Sequence, residues 1–117
     1  MALDHERLDV YHLALDFLVM ANGIIEALPR GQSHLADQFT RASTSIVLNL
    51  SEGAGKVSKP DKRRYYLTAR GSATESAALL DVCYRLELID PVRHQAGKDM
   101  VVRIVSMLVK LAQACEE

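Results

Sequence analysis

The chain has 117 residues, of which 49% are hydrophobic and 25% are charged, and 14 Lys or Arg against 15 Asp or Glu give a formal net charge of -1. This balance excludes an intrinsically disordered chain, which needs low hydrophobicity and high net charge, and a protein whose whole surface binds nucleic acid. Six Gly, three Pro, two Phe and four Tyr are too few turn-forming and aromatic residues for an all-β domain. We therefore predict a single helical domain, residues 1–117.

The first residues and the two cysteines indicate a cytoplasmic protein. Residues 1–7 are mostly polar, unlike the apolar segment of an export signal. No uninterrupted apolar run approaches the roughly 20 residues that span a bilayer, so we expect no membrane association. Cys83 and Cys115 lie in helical patterns without C-x-x-C or zinc spacing, as expected for reduced thiols.

Two helices are predicted in the first half of the chain, where apolar residues recur every three or four positions. The first covers residues 9–28 and ends at Pro29. The second covers residues 35–54 and ends before Gly55, a residue that favours helix termination. Each helix therefore has one apolar side that must be buried.

Two further helices begin at recognisable capping sequences. The third covers residues 59–88 and follows Ser58, whose hydroxyl can accept a hydrogen bond from a free amide of the first turn. The fourth covers residues 91–115 and follows Asp90, with Pro91 at its first position. Short connections place consecutive helices side by side, so we predict an all-α, antiparallel up-down-up-down four-helix bundle.

The fourth helix has more apolar surface than one bundle core uses. Its polar residues between positions 99 and 114 lie on one narrow stripe, and apolar residues cover the other sides. Large exposed apolar patches usually mark partner sites, so we predict a homo-oligomer. The predicted interface residues are Val101, Val102, Val105, Leu108 and Val109.

Polar residues form a ladder along the second helix, opposite small residues of the third. The predicted network is Gln38, Arg41, Ser45, Asn49, Glu52, Ser72 and Glu75. If the hairpin turns near residues 56 and 57, facing residue numbers sum to about 113, which puts Arg41 within one turn of Glu75. The same register puts Glu52 within one turn of Arg64. Half-buried charges need partners, so one interpretation is a charge-paired network that sets the helix register.

The other interpretation of this ladder is a catalytic or ligand-binding constellation. It would use Arg41, Asn49, Glu52, Arg64 and Glu75. No Ser-His-Asp or Cys-His arrangement accompanies these residues with any specificity, and we expect no metal or cofactor site. We therefore predict a protein that is not an enzyme; the alternative is a small-ligand-binding protein or an enzyme that uses this ladder.

A basic segment lies between the second and third helices. Its cations are Lys56, Lys59, Lys62, Arg63, Arg64 and Arg70. Asp61 is the one acid within residues 56–70, so the local charge is +5, and Tyr65 and Tyr66 lie in the same segment. Such a patch is suited to phosphate groups, and an oligomer would repeat it in every subunit. We predict contact with nucleic acid, either RNA or DNA, or with an acidic protein partner.

Several short motifs carry a resemblance to a known family. They are Leu35-Ala36-Asp37-Gln38-Phe39-Thr40-Arg41-Ala42, Ser45-Ile46, Asn49-Leu50, Glu52-Gly53, Gly55, Ser58-Lys59, Gly71-Ser72 and Glu75. Over residues 8–89 the chain resembles the bacterial four-helix-bundle family of proteins encoded in intervening sequences of large-subunit ribosomal RNA genes. It departs from the family's pattern at Val47, where proline is frequent, and at Lys62, where an aromatic residue is usual.

The resemblance implies a fold and an assembly. It implies a four-helix bundle and a homopentamer, and one branch of the family is the basic accessory protein of diversity-generating retroelements, which binds reverse transcriptase and RNA. This chain is slightly acidic, unlike that branch. We therefore predict a non-enzymatic homo-oligomeric scaffold that contacts its partner through residues 56–70.

Overall fold

The computed structural model describes residues 1–116 and contains four long α-helices. They are α1 (Asp9–Ala27), α2 (Ser33–Ala54), α3 (Lys59–Arg85) and α4 (Pro91–Ala114). A short 3₁₀ helix (Asp4–Arg7) precedes α1. These bounds lie close to those predicted from the sequence, and the largest difference is at the end of α3.

Each helix packs against the two helices that flank it around the bundle. α1 and α3 each contact α2 and α4, whereas no Cα atoms of the diagonal pairs come within 8 Å among residues 1–116. Since loops of four or five residues join consecutive helices, neighbours run antiparallel. The predicted up-down-up-down four-helix bundle is confirmed, with principal extents of 45 × 23 × 22 Å.

The predicted caps begin α3 and α4. The Ser58 hydroxyl accepts a hydrogen bond from the Asp61 amide at 3.3 Å, and the Asp90 carboxylate accepts one from the Arg93 amide at 2.8 Å. The α3 helix ends earlier than predicted because Glu87 adopts a left-handed φ of 61°. This conformation reverses the chain and ends the helix before a Gly or Pro is reached.

The core is built from the inner sides of all four helices. Its largest members with almost no exposure are Phe17, Phe39, Ile24, Ile46, Leu50, Leu80, Ile104 and Leu108. The rings of Phe17 and Phe39 lie 6.4 Å apart at their centroids, which joins α1 to α2. The buried Ser43 and Ser76 donate to helix carbonyls four residues earlier, so neither hydroxyl is unsatisfied.

The five residues predicted to form the oligomer interface do not share one surface. Val101 and Leu108 are 4% and 0% exposed, so they belong to the core of the single chain, and this part of the prediction is wrong. Val105 and Val109 are half-buried, and Val102 is 65% exposed.

The apolar surplus of α4 is mostly used within one chain. The core covers one side of α4, and the neighbouring helices cover parts of its two flanks. Met107 and Leu111 line a groove with Leu8 and Val10 on the flank towards α1. The exposed stripe of α4 between positions 99 and 113 is polar apart from Val102.

One described helix, α1, is long and apolar enough to cross a membrane by length and composition alone. Its mean hydropathy reaches 1.3 over 18 residues, of which 28% are buried inside the bundle. Core helices of soluble proteins also meet this criterion. In this structure the inner side of α1 packs against α2 and α4.

Candidate nucleic-acid interface

Six basic residues and a tyrosine lie together around the connection between α2 and α3, and we call this group the basic end. Its members are Lys56, Lys59, Lys62, Arg63, Arg64, Arg70 and Tyr65. Lys56 follows α2, residues 59–65 lie on the first two turns of α3, and Arg70 lies on its fourth turn. Lys59, Arg64 and Arg70 are exposed, so the structure places at least half of the predicted cations within reach of a partner.

Local acids neutralise part of this charge. Lys56 Nζ lies 3.6 Å from Glu52 Oε2 at the end of α2. Arg64 Nη2 lies 3.7 Å from Asp61 Oδ1 one turn earlier on α3. Both pairs are substantially exposed, and such pairs contribute about 0 to 1 kcal/mol because water and salt screen them. A phosphate group can therefore displace these carboxylates at low cost.

A third acid reaches the basic end from the far end of the sequence. Arg63 donates through Nε and Nη2 to Glu116 Oε1, at 3.2 and 3.1 Å. Counting Asp61 alone within residues 56–70 predicts a local charge of +5, but Glu52 and Glu116 also lie here. Six cations against three carboxylates leave +3.

Lys62 has a structural contact at this end. Its Nζ donates to the carbonyl oxygen of Ala54 at 2.8 Å, at the end of α2. Terminal carbonyls of a helix have no partner within the helix and attract cations. Lys62 therefore stabilises the end of α2.

Tyr65 lies close to two cations of the basic end. Lys56 Nζ is 5.2 Å from the centroid of its ring, and Arg64 Cζ is 5.0 Å away. These distances are within the range of cation–π attraction. Tyr65 is half-buried, so part of this residue faces solvent next to two positive charges.

The next residue, Tyr66, packs inward. Its ring is 5% exposed and lies against the backbone of Gly53, where a Cβ atom would meet Tyr66 Cε1 at 2.9 Å. Burial raises the pKa of the Tyr66 hydroxyl. This contact brings α2 and α3 close together directly behind Tyr65.

Three of the seven residues predicted for the polar network are hydrogen-bonded to one another. Ser45 Oγ and Ser72 Oγ are 2.8 Å apart, joining α2 to α3. Asn49 Nδ2 donates to Ser45 Oγ and to the Ser45 carbonyl, each at 2.9 Å. These side chains are half-buried and hydrogen-bonded to one another. They link the two helices through neutral groups.

The predicted charge pairs of the ladder are absent from residues 1–116. Arg41 and Glu75 are exposed and form no ion pair, and Glu52 pairs with Lys56 instead of Arg64. Gln38 is also exposed. The predicted half-burial of these groups is therefore wrong, and the ladder does not converge on one enclosed catalytic or ligand site.

The pairing of Ser45 with Ser72 corrects the register of the hairpin, but the predicted charge pairs are absent because Arg41 and Glu75 lie on the exposed sides of their helices. The residue numbers of the two serines sum to 117, whereas the predicted register required about 113. The hairpin is therefore displaced by four residues, about one helical turn. Tyr66 packed over Gly53 is consistent with this register.

Removing Ser72 and removing Glu75 are expected to have different effects. Ser72→Ala deletes a half-buried hydrogen bond between helices and should lower the unfolding free energy by about 0.5 to 1.5 kcal/mol. Glu75→Ala removes an exposed side chain and should change it by less than about 0.5 kcal/mol. Urea unfolding of both variants measures the difference. A larger loss of unfolding free energy in Glu75→Ala than in Ser72→Ala would support the charge-paired network.

A second polar cluster lies near the opposite end of the bundle, and sequence reasoning missed it. Asp81 Oδ1 accepts hydrogen bonds from Lys98 Nζ at 2.7 Å and from His94 Nε2 at 2.8 Å. The His94 ring stacks on Tyr84 at 4.3 Å. These hydrogen bonds hold the pKa of Asp81 below its usual range. His94 and Lys98 are four residues apart on α4, and Asp81 lies near the end of α3, on the other side of a short loop. This spacing was the sequence signal that could have predicted the cluster.

The Asp81 cluster is expected to stabilise the bundle above about pH 4. Because the folded-state pKa is lowered, the stabilisation is present when Asp81 is ionised and is lost as the pH falls through that pKa. Asp81→Asn should cost about 1 kcal/mol at pH 7, since half of the side chain is exposed and screened. Thermal unfolding of both proteins between pH 7 and pH 2.5 tests this. A difference in unfolding temperature between the two proteins that stays constant over this pH range would contradict a contribution from ionised Asp81.

The other candidate groups do not assemble into a reactive site. Within residues 1–116 no three His, Cys, Asp or Glu side chains are placed to hold a metal ion. Cys83 is buried in apolar surroundings, which raise the pKa of its thiol. Cys115 is half-buried and is also a free thiol.

Comparisons with known proteins agree with the fold. The family model described as 23S rRNA-intervening sequence protein matches residues 6–110. A solved structure from Bacteroides thetaiotaomicron VPI-5482, described as a protein with unknown function from the S23 ribosomal protein family, superposes with a TM-score of 0.82. It is 23% identical, and the match covers 89% of this chain and 95% of that one. No curated protein matches this chain. Because the family model spans most of its length, the chain belongs to the 23S rRNA-intervening sequence protein family.

Proposed function

We propose that this protein is a non-enzymatic, cytoplasmic, homo-oligomeric binding protein that contacts nucleic acid through its basic end. The observation that carries the proposal is Tyr65, a partly exposed ring with two cations, Lys56 and Arg64, within about 5 Å of its centroid. Aromatic rings that stack on bases, with cations that contact the backbone, are the usual elements of single-strand recognition.

The pairing of the cations with acids is compatible with this role. Arg63 and Arg64 contact carboxylates in exposed pairs, which contribute little to folding and exchange readily with solvent. Arginine binds phosphate oxygens with strong charge-assisted hydrogen bonds. A nucleic-acid backbone offers a row of such groups, whereas each carboxylate is isolated.

A ring and two cations also favour nucleic acid over an acidic protein. An acidic peptide would use the charges of the basic end and would gain little from the face of Tyr65. A single-stranded nucleic acid uses both, since every base has a π face. Self-association would repeat the basic end in each subunit and increase the avidity for a long strand. The resemblance to pentameric relatives supports a pentamer as the assembly.

Binding of a labelled single-stranded RNA, measured by fluorescence anisotropy, tests the proposal. Tyr65→Leu should weaken binding by about 1 to 3 kcal/mol through lost stacking. Arg64→Ala should weaken it about threefold through one lost phosphate contact. Arg30→Ala is the matched control, because Arg30 is exposed in the loop between α1 and α2 at the opposite end. Arg30→Ala should bind like the wild type.

Two results would contradict this assignment. Equal weakening by Arg30→Ala and Arg64→Ala would show general electrostatic attraction without a defined site. Weakening by Arg64→Ala with no effect of Tyr65→Leu would show recognition by charge alone, which fits an acidic protein partner.

A further inference from the structure

The contact between Arg63 and Glu116 differs from the other two ion pairs described at the basic end. Those two pairs join residues three or four positions apart, at nitrogen–oxygen distances of 3.7 and 3.6 Å. Arg63 and Glu116 are 53 residues apart, and two nitrogens of Arg63 donate hydrogen bonds to Glu116 Oε1 at 3.2 and 3.1 Å. One carboxylate therefore reaches the basic end from beyond the end of α4.

The backbone around Glu116 is held against the bundle. The amides of Cys115 and Glu116 donate to carbonyl oxygens three residues earlier, at 3.1 and 3.0 Å, so the chain continues as a turn beyond α4. The Cys115 side chain is half-buried and packs against the hydrophobic core. These contacts fix the backbone that carries the Glu116 carboxylate and keep this carboxylate within reach of Arg63.

Glu116 Oε1 lies where an oxygen of a phosphate group would bind to Arg63. Two N–H groups of one guanidinium converge on a single anionic oxygen, which is also how arginine binds phosphate. The two side chains are 42% and 55% exposed, so a ligand in solution can reach this position. A phosphate that uses the same two donors must first replace the carboxylate.

We propose that Glu116 is an intramolecular competitor of nucleic acid. In the free protein its carboxylate occupies the phosphate position at Arg63, and it leaves this position when a strand binds to the basic end. This inference rests on the proposed function and adds a residue that controls the affinity of the same site. Because Glu116 belongs to the same chain as Arg63, the competition does not depend on protein concentration.

The exposure of the Arg63–Glu116 pair limits the size of this effect. Exposed ion pairs raise an equilibrium constant by at most about fivefold, because water and salt screen the two charges. A nucleic-acid strand contacts several cations of the basic end at once, and each phosphate contact adds to its affinity. The carboxylate therefore lowers the affinity for a strand without preventing binding.

Removal of the charge of Glu116 tests the competition. Glu116→Gln keeps the size of the side chain and should bind a labelled single-stranded RNA about two- to fivefold more tightly than the wild type, measured by fluorescence anisotropy. Glu26→Gln is the matched control, because Glu26 is exposed at the end of α1, at the opposite end of the bundle. Glu26→Gln should bind RNA like the wild type.

A double variant separates competition at Arg63 from general charge repulsion. If Glu116 acts through Arg63, the gain in affinity from Glu116→Gln should be lost when Arg63→Gln is also present. An equal gain with and without Arg63 would show that Glu116 only adds negative charge near the strand, and it would overturn the inference. Circular dichroism of all variants should match the wild type, since both side chains are partly exposed.

The outcomes separate this inference from the proposed function. RNA binding by the wild type that is unchanged or weakened in Glu116→Gln would contradict the competition and leave the assignment of the basic end to nucleic acid in place. No RNA binding by either protein would contradict both. Tighter binding by Glu116→Gln that disappears in the double variant is the result that supports the inference.

Discussion

Leu108→Ala is expected to lower the unfolding free energy by about 2 to 5 kcal/mol. Leu108 is fully buried on the inner side of α4, so the substitution leaves a cavity in the core of the bundle. The total stability of a domain is about 5 to 15 kcal/mol, so this loss is a large fraction of it. Urea unfolding followed by circular dichroism measures the change, and the loss should be independent of protein concentration.

Val102→Ala is the matched control on the same helix. Val102 is 65% exposed, so its truncation should change the unfolding free energy of the single chain by less than about 0.5 kcal/mol. If Leu108→Ala changed stability only at concentrations where the protein self-associates, Leu108 would belong to an interface between subunits. Its assignment to the core would then be wrong.

Gly53→Val is expected to destabilise the protein by about 3 kcal/mol. A Cβ atom at this position would lie 2.9 Å from Tyr66 Cε1 and 3.0 Å from Tyr65 Cβ. The Tyr66 ring is buried and has no free space to move into, so α2 and α3 must separate. The same displacement moves Tyr65, so the variant should have both a lower RNA affinity and a lower thermal unfolding temperature than the wild type.

Gly71→Val is the control for Gly53→Val. No atom lies within 4 Å of a Cβ built on Gly71, which is exposed in the middle of α3. Replacing an exposed helical glycine removes backbone freedom of the unfolded chain, so this variant should be as stable as the wild type or more so. Equal destabilisation by the two substitutions would show that close packing at Gly53 does not matter.

The helices could be predicted because helix caps and apolar periodicity depend on residues that are close together in the sequence. The caps at Ser58 and Asp90 form as expected. The end of α3 was missed because a non-glycine residue, Glu87, takes the left-handed conformation. Such a choice depends on the packing of the following loop and has no distinct sequence pattern.

The register of α2 against α3 depends on tertiary packing. The midpoint of the loop predicted that Arg41 faces Ser72, whereas Ser45 faces Ser72 in the structure. The Tyr66 ring can lie only over a residue without a side chain, and Gly53 is that residue. The register in the structure places Arg41 level with Ser76, next to Glu75, so the predicted charge pair fails because both side chains lie on the exposed sides of their helices.

The six cations of the candidate interface and two of its three acids, Glu52 and Asp61, were predicted from the sequence, whereas Glu116 was missed. The six basic residues are close in sequence, so their clustering was visible. Glu116 is 53 residues from Arg63, and only the antiparallel packing of α4 on α3 brings them together. The apolar excess of α4 was also visible in the sequence. Which of its apolar residues lie in the core, on the two flanks or in a small exposed patch could be seen only in the structure.

The salt dependence of RNA binding is the most direct test of the proposed function. If three to six phosphates are neutralised by the basic end, log K should fall linearly with log salt, with a slope of about -2 to -4 for a single strand. Titration of the wild-type protein with a labelled single-stranded RNA at pH 7, from about 50 to 300 mM salt, measures this slope. An affinity that does not change with salt, or no binding at the lowest salt concentration, would contradict the assignment of the basic end to nucleic acid.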